Sequence, residues 1–68
     1  MQEVPITGES IRLGQFLKLA GLIDVGGEAK AVLAAGSVRV NGDVDGRRGR
    51  QLARGDVVEL HGRRARVG

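Results

Sequence analysis

Apolar and polar positions along this 68-residue chain change period twice, and each change marks an element. Leu13, Phe16, Leu17 and Ala20 fall at i, i+3, i+4 and i+7, one stripe of a helix with 3.6 residues per turn. Gly21 follows at once, where a helix end wants a residue that tolerates positive φ, and Leu22 and Ile23 supply apolar contacts to pin that turn. Ala29, Val32 and Leu33 repeat the helical spacing, and Gly36 repeats the stop. From Val38 the period drops to two, with Val38 and Val40 on one side, and Asn41-Gly42 is a strong type I′ hairpin signal. Two short helices, a strand and a tight turn therefore occupy Leu13 to Gly42.

Around this centre the pattern predicts further strands. Gln2 to Ile6 reads as a short edge strand, since Pro5 is tolerated only at an edge or a strand end. Thr7-Gly8-Glu9 is a turn, and Ser10-Ile11-Arg12 leads into the first helix. Gly14 inside that helix's first turn costs about 1 kcal/mol relative to alanine, so either close backbone approach to a partner or tight packing is expected there. Asp24 is the natural acceptor for starting the second helix, and Glu28 a first-turn carboxylate suited to the helix dipole. Gly26-Gly27 leaves backbone amides unshielded at that helix start, which suits either a phosphate oxygen or a close-packed turn.

Beyond the hairpin, Asp43-Val44-Asp45 returns and Gly46-Arg47-Arg48-Gly49-Arg50 forms a basic loop. Leu52 is a lone apolar anchor, Arg54-Gly55-Asp56 a turn, Val57 to Leu60 a strand, His61-Gly62 a turn and Arg63 to Val67 a last strand. In that strand Ala65 and Val67 share one side, Arg64 and Arg66 the other. The order is approximately β-αα-ββββ, an α+β fold: a two-helix, helix-turn-helix-like unit packed on a small, mostly antiparallel β-sheet. Residues 1–68 form one domain, and a chain this short buries only about 60% of the surface exposed on unfolding.

Composition narrows the chemistry. Without cysteine there is neither a disulfide framework nor a thiolate metal site. His61 is the only histidine and stands in a predicted turn, the carboxylates are scattered, and no phosphate-loop or dinucleotide glycine pattern occurs. No catalytic residue, metal or cofactor is expected, nor a small-molecule substrate. No apolar run approaches the roughly 18–20 residues of a membrane span, and the first ten residues lack a signal-peptide pattern. A soluble cytoplasmic domain with no membrane partner is the expectation.

Charge is what stands out. Residues 1–45 carry four basic against six acidic side chains, a net −2, whereas residues 46–68 carry seven arginines against Asp56 and Glu59, a net +5. Guanidinium donates in a fixed fork that matches phosphate, so a cluster of arginines favours nucleic acid. The one aromatic, Phe16, belongs to the helix stripe, which leaves no ring for stacking bases. The second helix offers Glu28 and Lys30 among alanines and glycines, a poor reading head for a DNA major groove. Structured RNA, held by arginine and backbone contacts, is the favoured partner. The alternative is a protein-interaction module that uses the same basic face on an acidic partner.

Particular residues then carry a family likeness. Arg12-Leu13 with Phe16-Leu17, Gly21-Leu22, Glu28-Ala29-Lys30 with Leu33, Gly36-Ser37-Val38-Arg39-Val40-Asn41-Gly42 and Gly55-Asp56-Val57-Val58 together resemble the S-four type RNA-binding domain, also called the alpha-L motif. The likeness spans residues 12–60 and is strongest to small stand-alone bacterial members, which share LGQFLKLAGLID, GGEAK and RRGR. It implies binding to ribosomal or transfer RNA, on the ribosome or beside a ribosome-associated protein, through one positive face. Carried over residue by residue, the implied RNA contacts are Arg12, Lys30 and Arg39, with Arg47, Arg48 and Arg50 in the loop; Lys18, off the apolar stripe, is a further candidate that the motif does not fix. Lys30, Arg47 and Arg48 are expected on one face. Gly14 departs from the acidic residue many members place there, and Val25-Gly26 from a serine-arginine pair.

Overall fold

The computed structural model describes residues 1–68. Its elements in chain order are β1 (Gln2–Val4), β2 (Ile11–Arg12), α1 (Leu13–Leu19), α2 (Gly27–Ala34), β3 (Val38–Val40), β4 (Asp43–Val44), β5 (Gln51–Leu52), β6 (Val57–Leu60) and β7 (Arg63–Val67). Five strands form one sheet in the order β1-β7-β6-β3-β4, and β2 pairs with β5 in a separate two-stranded ribbon. Only the β1–β7 pairing is parallel, so the sheet is mostly antiparallel as expected.

Both helices end as their glycines require. Past α1, the Leu22 N–H donates to the Leu17 carbonyl at 2.9 Å and the Gly21 N–H to Lys18 at 3.0 Å, with Gly21 at φ +70°. Past α2, Ser37 donates to Val32 and Gly36 to Leu33, with Gly36 at φ +72°. Both are Schellman closures, which satisfy carbonyls that would otherwise be orphaned at the helix end. The Asn41-Gly42 turn has both residues at positive φ, as type I′ demands, and His61-Gly62 repeats that geometry between β6 and β7. Asn41 also stitches strands: its Oδ1 accepts from the Val57 N–H at 2.9 Å and its Nδ2 donates to Asp56 Oδ1 at 3.1 Å.

One core joins helices and sheet. Leu13, Phe16, Leu17 and Ala20 from the first stripe, Ala29 and Leu33 from the second, and the inward rows of the strands bury together, with Val32 packed half-buried at the margin. Register aligns those rows: Val40 faces Val58, Val58 faces Ala65 and Val4 faces Val67. Residues between them turn outward, so Arg39, Glu59 and Arg64 form one cross-strand row on the sheet face away from the core. Full burial of a side chain such as Phe16 stabilises by roughly 2–3 kcal/mol.

Three local expectations need correcting. Ser10 to Arg12 does not simply lead into the helix: Ile11 and Arg12 form β2, opposite Leu52 and Gln51. The lone anchor Leu52 is fully buried in that second strand pair. A two-residue strand has no visible alternation, so its pattern cannot announce it. Asp24 does not cap α2. Gly26 occupies the N-cap with no side-chain acceptor, and Glu28 Oε1 reaches back to accept the Asp24 and Val25 N–H groups, both at 3.1 Å.

Candidate nucleic-acid interface

The basic loop is built around a carboxylate. Asp45 is nearly buried, with 7% of its surface exposed. Its Oδ1 accepts from the Arg47 backbone N–H at 2.9 Å and from Arg47 Nε at 3.1 Å, and its Oδ2 accepts from Arg47 Nη2 at 2.8 Å and Arg50 Nη1 at 2.7 Å. The hydrogen bonds from Arg47, then from Arg50, hold this carboxyl well below the usual carboxylate range. Asp45 in turn raises the Arg47 guanidinium above its ordinary value. The Arg47 side chain stays 72% exposed while bonded, so one buried anion organises two cations at the surface.

The same loop starts α1. Arg12 is the N-cap and makes no side-chain cap. The first helical N–H groups go to loop carbonyls instead: Leu13 donates to Arg50 at 2.8 Å and Gly14 to Arg48 at 3.0 Å. These bonds satisfy donors that a helix start always leaves free. They also bring the loop so close that a β-carbon on Gly14 would stand 2.8 Å from Arg48 Cγ. Of the two reasons expected for a glycine here, the structure shows tight packing, against the chain's own loop. On the other side Gly46 packs under α2, where a β-carbon would lie 3.2 Å from the Leu33 carbonyl oxygen.

With the loop fixed, Arg12, Lys18 and Arg48 line a single surface groove together with Ser10, Gln15, Gly26, Gly49 and the segment from Pro5 to Gly8. Ile6, Ile11 and Leu19 give it apolar surface. None of the three cations has a carboxylate within 4.0 Å; the ion pairs of the molecule are those of Asp45. The groove thus carries positive charge that the fold itself does not neutralise.

The seven basic residues expected to contact RNA fall into separate places. Arg12, Lys18 and Arg48 meet at the groove, and Arg47 and Arg50 share Asp45. Lys30 is exposed on α2 and does not line the groove. Arg39 stands on the outward sheet face, where its Nη1 donates to the Gly42 carbonyl at 3.1 Å across its own hairpin. Ser10, Gln15 and Asp45 were not among the sequence-derived candidates. Asp45 had a signal, since it is the acidic residue next to the arginine run, at spacings of two and five from Arg47 and Arg50. The amides before α2 are partly taken by Glu28, so an anion there would meet a carboxylate already in place. No group of three histidine, cysteine or acidic side chains is placed to hold a metal ion, and no helix is long and apolar enough to cross a membrane.

Comparison with known proteins gives the geometry its relatives. Residues 4–68 match the family model described as S4 domain. A protein of Bacillus subtilis (strain 168) named "Probable ribosome maturation protein RlbA" is 54% identical over 59 residues, covering 87% of this chain and 83% of the relative. Among solved structures, the 30S ribosomal protein S4e from Thermoplasma acidophilum superposes with a TM-score of 0.69 at 30% identity. That match covers 88% of this chain but 32% of the ribosomal protein, so this chain corresponds to about a third of it. The two-helix unit on a mostly antiparallel sheet is the fold that the likeness in sequence implied, and the chain belongs to the S4 domain family.

Proposed function

We propose that this protein is a non-catalytic module that binds structured RNA, ribosomal or transfer, in ribosome maturation. The observation that carries the reading is the groove where Arg12, Lys18 and Arg48 converge without carboxylate partners, beside the loop that Asp45 organises. Unneutralised cations near a backbone track bind phosphate by releasing counterions, which needs no catalytic group. Membership of the S4 domain family supports it, as do a relative named for ribosome maturation and a fold shared with a 30S ribosomal protein. In this reading Arg12, Lys18 and Arg48 contact phosphates directly. Arg47 and Arg50 add charge from the loop beside the groove, Lys30 from α2 and Arg39 from the sheet side. The partner is RNA on the ribosome or its precursor in the cytoplasm, with no membrane or small-molecule substrate.

The test is a salt-titrated gel shift of the protein against a structured ribosomal-RNA fragment, a single-stranded RNA and a duplex DNA, beside a variant with Arg47, Arg48 and Arg50 all changed to alanine. The expected result is preferential binding to structured RNA that weakens steeply with salt and is lost in the variant. Absence of RNA binding at low salt rejects the proposal and turns the basic face toward an acidic protein partner.

A further inference from the structure

The groove holds more than charge. Phosphate alone needs cations and amides, yet Ile6, Ile11 and Leu19 line the same groove as Arg12, Lys18 and Arg48. Leu19 is 53% exposed although it sits in a helix whose other large apolar residues are fully buried. Ser10 and Gln15, both exposed, add a hydroxyl and a carboxamide that can donate and accept. Apolar surface, a few polar groups and flanking cations together match a nucleotide, whose base is flat and apolar with a hydrogen-bonding edge and whose phosphates lie on either side. A duplex keeps its bases stacked inside and offers nothing to such a surface. An extruded base does, and Gly49, with open space where its β-carbon would stand, leaves room beside the groove for a backbone to come close.

Resting on the RNA reading above, we infer that the groove between the Pro5–Ser10 segment and α1 is a binding site for one unstacked nucleotide of the target RNA. The base lies against Ile6, Ile11 and Leu19, its edge meets Ser10 and Gln15, and the flanking phosphates pair with Arg12, Lys18 and Arg48. The protein therefore selects RNA helices interrupted by a bulge or a loop, and it does so without an aromatic stacking platform. Aliphatic contact replaces the ring.

The test uses two RNA hairpins of equal length and charge, one fully paired and one carrying a single bulged 2-aminopurine. Binding is measured for the protein and for a variant carrying Ser10→Ala, Gln15→Ala and Leu19→Ala, all exposed positions whose replacement leaves the core intact. A Lys30→Ala, Arg39→Ala variant, which removes two exposed cations outside the groove, serves as the charge control. The expected result is about tenfold tighter binding to the bulged hairpin, with 2-aminopurine fluorescence changing on binding. The preference should vanish in the groove variant, whereas the charge control should weaken both hairpins alike. Equal binding to both hairpins, unchanged in the groove variant, overturns the nucleotide site and leaves the RNA reading standing. Failure of the protein to bind either hairpin at low salt overturns both. Titration of isotope-labelled protein separates the ligand's parts: a nucleoside 5′-monophosphate should shift the amides of Ser10, Gln15 and Leu19, and inorganic phosphate should not. Identical shifts from the two would overturn the site for the base.

Discussion

The side chain of Arg48 lies where a β-carbon of residue 14 would be: Gly14 leaves 2.8 Å to Arg48 Cγ, and its N–H donates to the Arg48 carbonyl at 3.0 Å. A glycine that weakens the helix locally thus seats an arginine against it. The helix cost and the placement of the cation are two sides of one contact.

Replacing Gly14 with alanine tests this directly. Alanine gains about 1 kcal/mol of helix propensity, while the flexible Arg48 side chain must swing aside to make room. Stability is expected to stay within about 1 kcal/mol of the parent, and affinity for structured RNA to fall as far as in Arg48→Ala. Urea midpoints and gel shifts read the two separately. An unchanged affinity would mean that Arg48 is not a contact in its present position.

Asp45 governs how stability depends on pH. Its folded-state carboxyl titrates well below the unfolded value, and Asp56 is also lowered, first by the Ala53 N–H and then by Asn41. For such groups the unfolded chain takes up protons first, so their stabilisation is complete above about pH 5 and is lost as pH falls through 4 toward the folded values. At neutral pH, Asp45→Asn should cost about 1.5–3 kcal/mol, the range for hydrogen bonds to a charged group. The gap between parent and variant should narrow steadily as the pH drops below 4, because the unfolded parent chain takes up a proton there while the folded carboxylate stays ionised to lower pH. Urea midpoints at pH 7, 5, 4 and 3 measure it, and a gap that stays constant would contradict the account.

Leu52 and Leu19 form a matched contrast. Leu52 is fully buried in the β2–β5 pair, whereas Leu19 is exposed. Leu52→Ala should cost about 2–5 kcal/mol, a large share of the stability of so short a chain, and Leu19→Ala only within about 0.5 kcal/mol. Thermal melts of both variants decide it. Equal losses would show that the two-stranded ribbon is not part of the cooperative core.

Salt dependence separates contacts from background charge. If Arg48 touches a phosphate, Arg48→Ala should flatten the slope of log affinity against log salt by about one. Arg66→Ala, on the outward face of β7, should change it by less than half as much. Fluorescence anisotropy at four salt concentrations gives both slopes. Equal flattening would place the RNA on the sheet face as much as on the groove.

Sequence alone determined the local architecture of this protein. The 3.6-residue stripes that begin at Leu13 and Ala29, the glycines at 21 and 36, the alternation from Val38 and the Asn41-Gly42 turn are short-range signals, because backbone periodicity and positive φ are set by neighbouring residues. The basic character of the loop was equally legible in Arg47, Arg48 and Arg50. What tertiary structure decided is how these parts meet. Strands of two residues, β2 and β5, gain their identity only by pairing across 40 intervening positions, Ile11 with Leu52. Asp45 becomes the anchor of two arginines only once the loop folds back over it, and Arg12, Lys18 and Arg48 share a groove only because loop carbonyls accept the first N–H groups of α1. Composition counts charges, but side-chain direction and long-range pairing determine which of them a carboxylate neutralises and which are left facing solvent.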